Sequence, residues 1–112
     1  MTIMNSIYHI TQRVKWENAK LVGNYRADSL NSEGFIHCST RSQLTKTANK
    51  FFKNQTGLVL LYIDESKVKA EIKYESADND LFPHIYGELN LDAISQVIDL
   101  EPDIEGLFNF PI

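Results

Sequence analysis

The sequence has one cysteine, three prolines and no hydrophobic run long enough to cross a membrane. Its longest apolar run, residues 58–63, is far shorter than the roughly 20 residues that a membrane-spanning helix needs. The N-terminus lacks the basic start and long apolar stretch of a signal peptide. The lone Cys38 excludes an internal disulfide and fits a reducing compartment. These absences predict a cytoplasmic protein without a membrane segment.

Basic residues are absent from the last third of the chain. All eleven Lys and Arg lie within residues 13–73, whereas residues 74–112 contain nine acidic residues. Two solvated faces of opposite sign would explain this division. Two solvated faces are the favoured explanation, and the alternative is a basic patch that receives an anionic ligand beside an acidic tail that repels long polyanions. Because the net charge is −4 and a nucleic-acid-binding domain is normally basic, a small phosphorylated ligand is favoured over a polynucleotide.

The 112 residues, 43% of them hydrophobic, are enough for one domain and too few for two ordinary cores. The lack of regular strand–helix alternation favours the α+β class, with both helices in the N-terminal half. Residues 25–33 are expected to form a loop with some strand at its start, and Asp78-Asn79-Asp80 is expected to form a turn. The predicted strands cover residues 6–11, 34–38, 58–63 (central), 69–74 (edge), 84–89 and 94–100. The predicted helices cover residues 12–21 and 41–54. The tail, residues 102–112, is expected to pack onto the body.

Three histidines carry the candidate chemistry, since each lies in a predicted strand with a hydroxyl residue two places later. The three segments are His9-Ile10-Thr11, His37-Cys38-Ser39 and His84-Ile85-Tyr86. Side chains two apart on a strand share a face, so each strand presents an imidazole and a hydroxyl on the same side. We expect the three histidines and Tyr86 to share one catalytic site, against the alternative that each histidine is a satisfied structural residue.

The junction between the second strand and the second helix is a predicted place for an anion. Ser39 or Thr40 would cap the helix, and unpaired backbone N–H groups there, with Arg41 beside them, would hold a phosphate. Cys38 points away from His37 in a strand and is expected to be a buried small hydrophobic residue. Thr11 is expected to cap the first helix in the same way, and Gly23 to end it.

The segment FPHIYG, residues 82–87, is the most distinctive short run of the chain. Its proline presets the backbone that enters the strand, and Gly87 permits close approach of another chain segment or a ligand. Tyr86 is expected to stack on a flat ring. Glu88 shares the predicted face of His84 and Tyr86, so it is the carboxylate expected at this site.

Several motifs together resemble one known family. The motifs are IYHIT at 7–11, EGFIHCS at 33–39 and FPHIYG at 82–87, with Trp16, Ser29-Leu30, Gln43, Ala48-Asn49, Phe52 and Asp92-Ala93 around them. They span residues 7 to 97 and are similar to the bacterial and plant family called domain of unknown function 952. That family is grouped with the ADP-ribosyltransferase-like fold, which implies a split, strongly bent antiparallel sheet that binds NAD or an ADP-ribosyl group.

The resemblance also implies roles for individual residues. In the branch with a His-Tyr-Glu triad, His9 would hold the adenosine ribose of NAD, and Tyr25 and Tyr86 are the candidates to stack on nicotinamide. The position of the catalytic glutamate holds His84 here, with Glu88 four residues later. A neutral histidine stabilises a developing oxocarbenium charge less well than glutamate. This departure argues against ADP-ribose transfer to protein. It fits the 2′-phosphotransferase branch better, because that branch works with histidine and arginine.

Three hypotheses for function follow. The first is an enzyme or binder that acts on NAD, ADP-ribose or another phosphorylated nucleotide. The residues assigned to that ligand are His9, Thr11, Ser39, Thr40, Arg41 and Tyr86. The second is a catalytic zinc site built from the three histidines and a water, although their spacing fits no compact ligand motif. The third is a non-catalytic module for a metabolite or a protein, in which the histidines only maintain strand geometry.

Overall fold

The apolar run near the middle of the chain forms the central strand of the first sheet. Strand β4 (Leu58–Asp64) pairs antiparallel with β1 (Ser6–Gln12) on one side and with β8 (Ile94–Leu100) on the other. Because alternate strand residues point to opposite faces, β4 contributes to two hydrophobic cores, one on each face of the sheet. The structure is a computed structural model that describes residues 5–110.

The remaining strands form two further sheets, a two-stranded β2–β7 sheet and a three-stranded β3–β6–β5 sheet with β6 in the middle. Their bounds are β2 (Asn24–Tyr25), β3 (Ile36–His37), β5 (Glu71–Ala77), β6 (Asp80–Tyr86) and β7 (Leu89–Asn90). The helices are α1 (Arg13–Val22), α2 (Asp28–Ser32) and α3 (Leu44–Phe51). Every strand pair within residues 5–110 is antiparallel, which confirms the α+β class. None of the helices in this part of the chain is long and apolar enough to cross a membrane.

A short bridge joins the β1–β4–β8 sheet to the β3–β6–β5 sheet. Tyr8 and Ser39 exchange two backbone hydrogen bonds, each 2.8 Å long, at the outer edge of β1. The Cys38 amide donates to the Pro83 carbonyl at 3.0 Å, so the segment after β3 is held by β1 and β6 at once. This junction brings the histidine of β1 beside the histidine of β3.

The β3–β6–β5 sheet has one buried face and one open face. Ile36 and Ile85 are fully buried on the face that belongs to the first core. His37 and His84 are cross-strand partners on the opposite face. Helix α3 packs against the second core and stands across from this open face, so a space remains between the helix and the histidines.

The helices differ from their predicted bounds in three ways. Strand β1 pairs with β4 as far as Gln12, so the predicted cap Thr11 is instead a strand residue. The predicted helix over 41–54 is a short 3-10 turn followed by α3, and it ends early because Asn54 has a left-handed φ of 69°. The predicted loop over 25–33 contains the short helix α2. Gly23 ends α1 as predicted, with a φ of 103° that favours glycine.

Strand β6 differs from the predicted strand over 84–89 at both ends. Asp78 and Asn79 adopt left-handed conformations and form a two-residue turn, so pairing between β5 and β6 begins at Asp80. At the other end β6 stops before Gly87, and the next two-residue strand pairs with β2. A Cβ on Gly87 would lie 2.9 Å from the Cβ of Ala70, so glycine permits close approach of another chain segment.

The predicted positions of β4, β5 and the tail are confirmed. Strand β4 is central in its sheet, and β5 is an edge strand. In the tail, Phe108 is fully buried in the second core and Phe110 packs against it. Residues 111 and 112, which belong to the predicted tail, lie outside the described residues.

Candidate functional site

A cavity of about 580 Å³ lies between α3 and the open face of the β3–β6–β5 sheet, and we call it the histidine cavity. The structure brings His9, His37 and His84 together in its wall, and Ser39 also lines it. The other residues assigned to a ligand, namely Thr11, Thr40, Arg41 and Tyr86, are not among its lining residues. Apolar side chains make up much of the remaining wall, among them Phe35, Leu44, Phe51, Phe52 and Phe82.

His84 is held in place by a carboxylate that the sequence did not indicate. Its Nδ1–H donates to Oε1 of Glu75, which lies 2.8 Å away on the neighbouring strand β5. The Tyr86 hydroxyl donates to the same oxygen. Hydrogen bonds from Tyr86 and from His84 hold the pKa of Glu75 below its ordinary value, and Glu75 in turn raises the pKa of the Tyr86 hydroxyl. Glu75 is therefore an ionised acceptor shared by the imidazole and the phenol.

His37 has a carboxylate partner of its own. Its Nε2 lies 2.8 Å from Oε2 of Glu33, and its side chain is half exposed at the cavity. Phe35 packs against both imidazoles. Its ring stacks on His84 at 4.0 Å between centroids and 16° between planes, and meets the His37 ring edge-on at 4.8 Å. The two imidazole centroids are 5.4 Å apart, so two carboxylate-bound histidines share one aromatic support.

His9 is buried, and both of its ring nitrogens are engaged within the chain. Its Nδ1–H donates to the His37 carbonyl at 2.5 Å, and its Nε2 lies 2.7 Å from the Tyr25 hydroxyl oxygen. That hydroxyl is also 2.9 Å from Thr11 Oγ1. A tyrosine hydroxyl has one proton, so all three groups are satisfied when Thr11 donates to Tyr25 and Tyr25 donates to His9.

The electrostatics of His9 follow from this burial. Loss of solvation lowers its pKa from 6.5 to about 4, so the imidazole is neutral at pH 7. The hydrogen bonds of His9 connect β1 to the His37 carbonyl of β3 and to the Tyr25 hydroxyl of β2. His9 thus forms part of the wall of the histidine cavity. The resemblance had implied that His9 binds a ribose hydroxyl, but neither of its ring nitrogens is free to do so.

The predicted anion site at the start of the second helix is partly used by the chain itself. The Ser39 amide donates to the Tyr8 carbonyl, and the Thr40 amide donates to the Gln43 side chain at 2.9 Å. Two of the backbone donors that were expected to be unpaired are therefore engaged. The Ser39 hydroxyl donates to Thr47 on α3 at 3.3 Å. Cys38 is buried as expected, and burial raises the pKa of its thiol.

The prediction for the position of Glu88 is wrong. Glu88 was expected beside His84 and Tyr86, but it lies beyond Gly87 and accepts a hydrogen bond from Arg26 at 2.9 Å instead. Phe51 of α3 lines the cavity and is 59% exposed. The carboxylate at the site comes from β5, because the turn before β6 sets a pairing register that the sequence pattern alone did not reveal.

The residues that sequence reasoning missed are Glu33, Phe35 and Glu75. Glu33 and Phe35 belong to the EGFIHCS motif and were close to His37 in the sequence, which is the signal that could have found them. Glu75 had no such signal, since its position depends on the β5–β6 register. Within residues 5–110, no group of three or more His, Cys, Asp and Glu side chains is arranged to hold a metal ion.

Comparison with known proteins gives the family. The family model described as "Protein of unknown function (DUF952)" matches residues 10–97. The chain belongs to the DUF952 family. The matched region contains His37 and His84 and begins one residue after His9. The family predicted from the motifs is thereby confirmed.

Solved structures similar to this DUF952 chain come from one bacterial protein. The crystal structure of protein CC0527 from Caulobacter crescentus is 33% identical in sequence, covers 93% of each chain and has a TM-score of 0.86. The solution NMR structure of CC0527 is 32% identical, covers 95% of this chain and 93% of that chain, and has a TM-score of 0.82. No curated protein matches this chain significantly.

Proposed function

We propose that this DUF952 chain binds a small phosphorylated nucleotide, such as NAD or ADP-ribose, in the histidine cavity, and that His84 acts as an acid–base group there. The observation that carries the proposal is the hydrogen bond between His84 and Glu75 in the cavity wall. A carboxylate that binds one ring nitrogen orients the imidazole and leaves the other nitrogen to exchange a proton with a ligand.

The size and lining of the cavity support a ligand with a flat ring. A volume of about 580 Å³ is typical of small-molecule sites, which combine a mostly apolar wall with a few convergent polar groups. Phe35, Phe51 and Phe82 supply aromatic surface against which a nucleobase can pack. The polar groups converge at one wall, where His37 and His84 stand side by side.

Charge at the open face supports a phosphate on the ligand. Lys73 is the cross-strand partner of His84, and its Nζ lies 4.7 Å from the centre of the Tyr86 ring. Its Nζ also lies 3.9 Å from Oε1 of Glu71, in an exposed ion pair that is weak enough for an anionic ligand to replace. The carboxylates of Glu33 and Glu75 are bound to the imidazoles. Lys73 takes the role that the sequence assigned to Arg41.

We also propose that the chain has an ADP-ribosyltransferase-like fold. The antiparallel β1–β4–β8 and β3–β6–β5 sheets meet at the Tyr8–Ser39 bridge, as the halves of a split sheet would, and the histidine cavity lies beside that bridge. The ribose contact that the resemblance assigned to His9 falls in this proposal to His37, since His9 has no free ring nitrogen.

Calorimetric titration with ADP-ribose, NAD and ADP tests the proposal. We expect His84→Asn to weaken binding of at least one of these nucleotides tenfold or more, about 1.4 kcal/mol, because a ligand contact and the imidazole surface are lost. Glu75→Gln should weaken it in the same direction, because the imidazole loses its ionised partner. Glu88→Gln is the matched control, since Glu88 contacts Arg26 outside the cavity.

Each variant is compared with the wild type by circular dichroism and thermal unfolding, so that a folding defect is recognised. Equal weakening by Glu75→Gln and Glu88→Gln would contradict the proposal. So would the absence of heat with every nucleotide, and in that case a titration with Zn²⁺ and a screen of non-phosphorylated metabolites would test the zinc and non-catalytic hypotheses.

A further inference from the structure

One row of side chains crosses all three strands of the β3–β6–β5 sheet on its open face. His37 of β3 is the register partner of His84 of β6, which is the register partner of Lys73 of β5. Directly opposite residues in antiparallel strands have Cβ atoms about 5 Å apart. The sheet therefore sets two imidazoles and one ammonium group side by side.

The two imidazoles of this row are oriented through opposite ring nitrogens. Glu33 binds Nε2 of His37, and Glu75 binds Nδ1 of His84, both at 2.8 Å. The nitrogens left for a substrate are therefore Nδ1 of His37 and Nε2 of His84. Phe35 packs on both rings and limits their rotation. Two histidines oriented in this way can act on one substrate as a proton acceptor and a proton donor.

We propose, building on the nucleotide binding proposed above, that this row cleaves a ribonucleotide phosphodiester by attack of the neighbouring ribose hydroxyl. His84 takes the proton of the 2′-hydroxyl as its oxygen forms a bond to phosphorus. The bond from phosphorus to the leaving oxygen breaks, and protonated His37 gives that oxygen its proton. The products are a 2′,3′-cyclic phosphate and an alcohol, and the two histidines return to their starting states by exchanging a proton with water.

The positions of the three side chains determine these roles. His84 is buried in the wall, with its side chain 8% exposed, whereas the His37 side chain is 53% exposed. The leaving alcohol departs toward solvent, so the more exposed His37 is the donor. Lys73 stands at the end of the row beside Tyr86 and neutralises the non-bridging phosphate oxygens, whose negative charge rises as the fifth bond to phosphorus forms.

Cleavage of a glycosidic bond fits the row less well than cleavage of a phosphodiester. A glycosidic transition state is stabilised by a carboxylate at the sugar, whereas Glu33 and Glu75 are bound to imidazoles and Asp78 of the cavity wall is bound to Lys50. The available groups are a proton acceptor, a proton donor and a cation. Phosphoryl chemistry with a neighbouring hydroxyl needs these three groups and no further reactant.

Two probe substrates separate the roles of the histidines. Adenylyl-(3′→5′)-adenosine has a leaving alcohol that needs a proton, whereas the para-nitrophenyl ester of adenosine 3′-phosphate has a leaving group that departs as an anion. We expect His84→Gln to slow both reactions by about 100-fold or more, since general acid–base groups contribute that much. His37→Gln should slow the dinucleotide by a similar factor and the nitrophenyl ester by less than about 10-fold.

The controls keep this test separate from that of nucleotide binding. Glu88→Gln should leave both rates unchanged, and calorimetric titration with adenosine 3′-phosphate reports binding independently of turnover. Binding of adenosine 3′-phosphate without cleavage of either probe by the wild type would overturn the phosphodiester reaction and leave nucleotide binding standing. Cleavage that neither histidine variant slows would overturn it too. Absence of both binding and cleavage would overturn the two proposals together.

Discussion

Acidification from pH 7 to pH 4 is expected to cost the protein about 3 kcal/mol of unfolding free energy through His9 alone. The pKa of His9 is lowered from 6.5 to about 4 by burial. Between these values the unfolded chain binds a proton that the folded chain does not, so stability falls as the pH falls. Above pH 6.5 both states are neutral at His9, and below about pH 4 both are protonated, so its contribution is confined to this window.

Urea unfolding of the wild type and His9→Asn across this pH range measures the effect. The carboxylates whose pKa values are lowered, Glu75, Asp78 and Asp80, also lose stabilising interactions in acid. They do so in both proteins, and the difference between the two pH profiles therefore isolates His9. An unchanged slope in His9→Asn would contradict the account of this buried imidazole.

Replacement of Phe108 by alanine is expected to lower the free energy of unfolding by about 3–5 kcal/mol. Phe108 is fully buried in the second core beside Leu44 and Ala48 of α3. Its amide also donates to Asn49 Oδ1 at 2.7 Å, and its carbonyl accepts from Asn49 Nδ2 at 3.3 Å. The tail thus stabilises the helix that forms one wall of the histidine cavity.

Ile104→Ala is the matched control for the tail, because Ile104 is fully exposed four residues earlier. Its unfolding free energy should lie within about 0.5 kcal/mol of the wild type. Urea denaturation followed by circular dichroism gives both values. Similar stabilities for Phe108→Ala and Ile104→Ala would show that the tail does not belong to the core.

The fold could be predicted from the sequence where a strong hydrophobic pattern was followed by a residue that ends a helix or strand. The central place of β4 follows from its continuous apolar run, β8 lies over the predicted residues 94–100, and Gly23 ends α1 as expected. Helix α2 could not be predicted, because its five residues are mostly polar and have no buried stripe. The turn over residues 78–80 was predicted, but the early start of β6 was missed, because left-handed Asp78 and Asn79 form the whole loop and β6 begins directly at Asp80.

The candidate site could be predicted only in part, because local sequence patterns indicate its histidines but not their partners from other strands. The three histidine–hydroxyl pairs led to the prediction that the histidines share one site, and the fold places His9, His37 and His84 in one cavity wall. The partners of these histidines come from other segments, so they depend on register. Glu75 reaches His84 because Lys73 is paired with His84, which leaves Glu75 two residues along the same face. A shift of one residue in the β5–β6 register would point the Glu75 side chain to the buried face. The sequence pattern of one strand does not determine that register.

The most direct test of the histidine cavity is a long-range proton–nitrogen NMR spectrum of the three imidazoles, recorded with and without ADP-ribose. In their neutral forms His9 and His84 should have the proton on Nδ1, and His37 on Nε2, because those atoms donate to acceptors in the chain. Saturation with ADP-ribose should shift the resonances of His37 and His84 and leave those of the buried His9 nearly unchanged. Unchanged His37 and His84 resonances in the presence of bound ADP-ribose would contradict the proposal that this cavity is the ligand site.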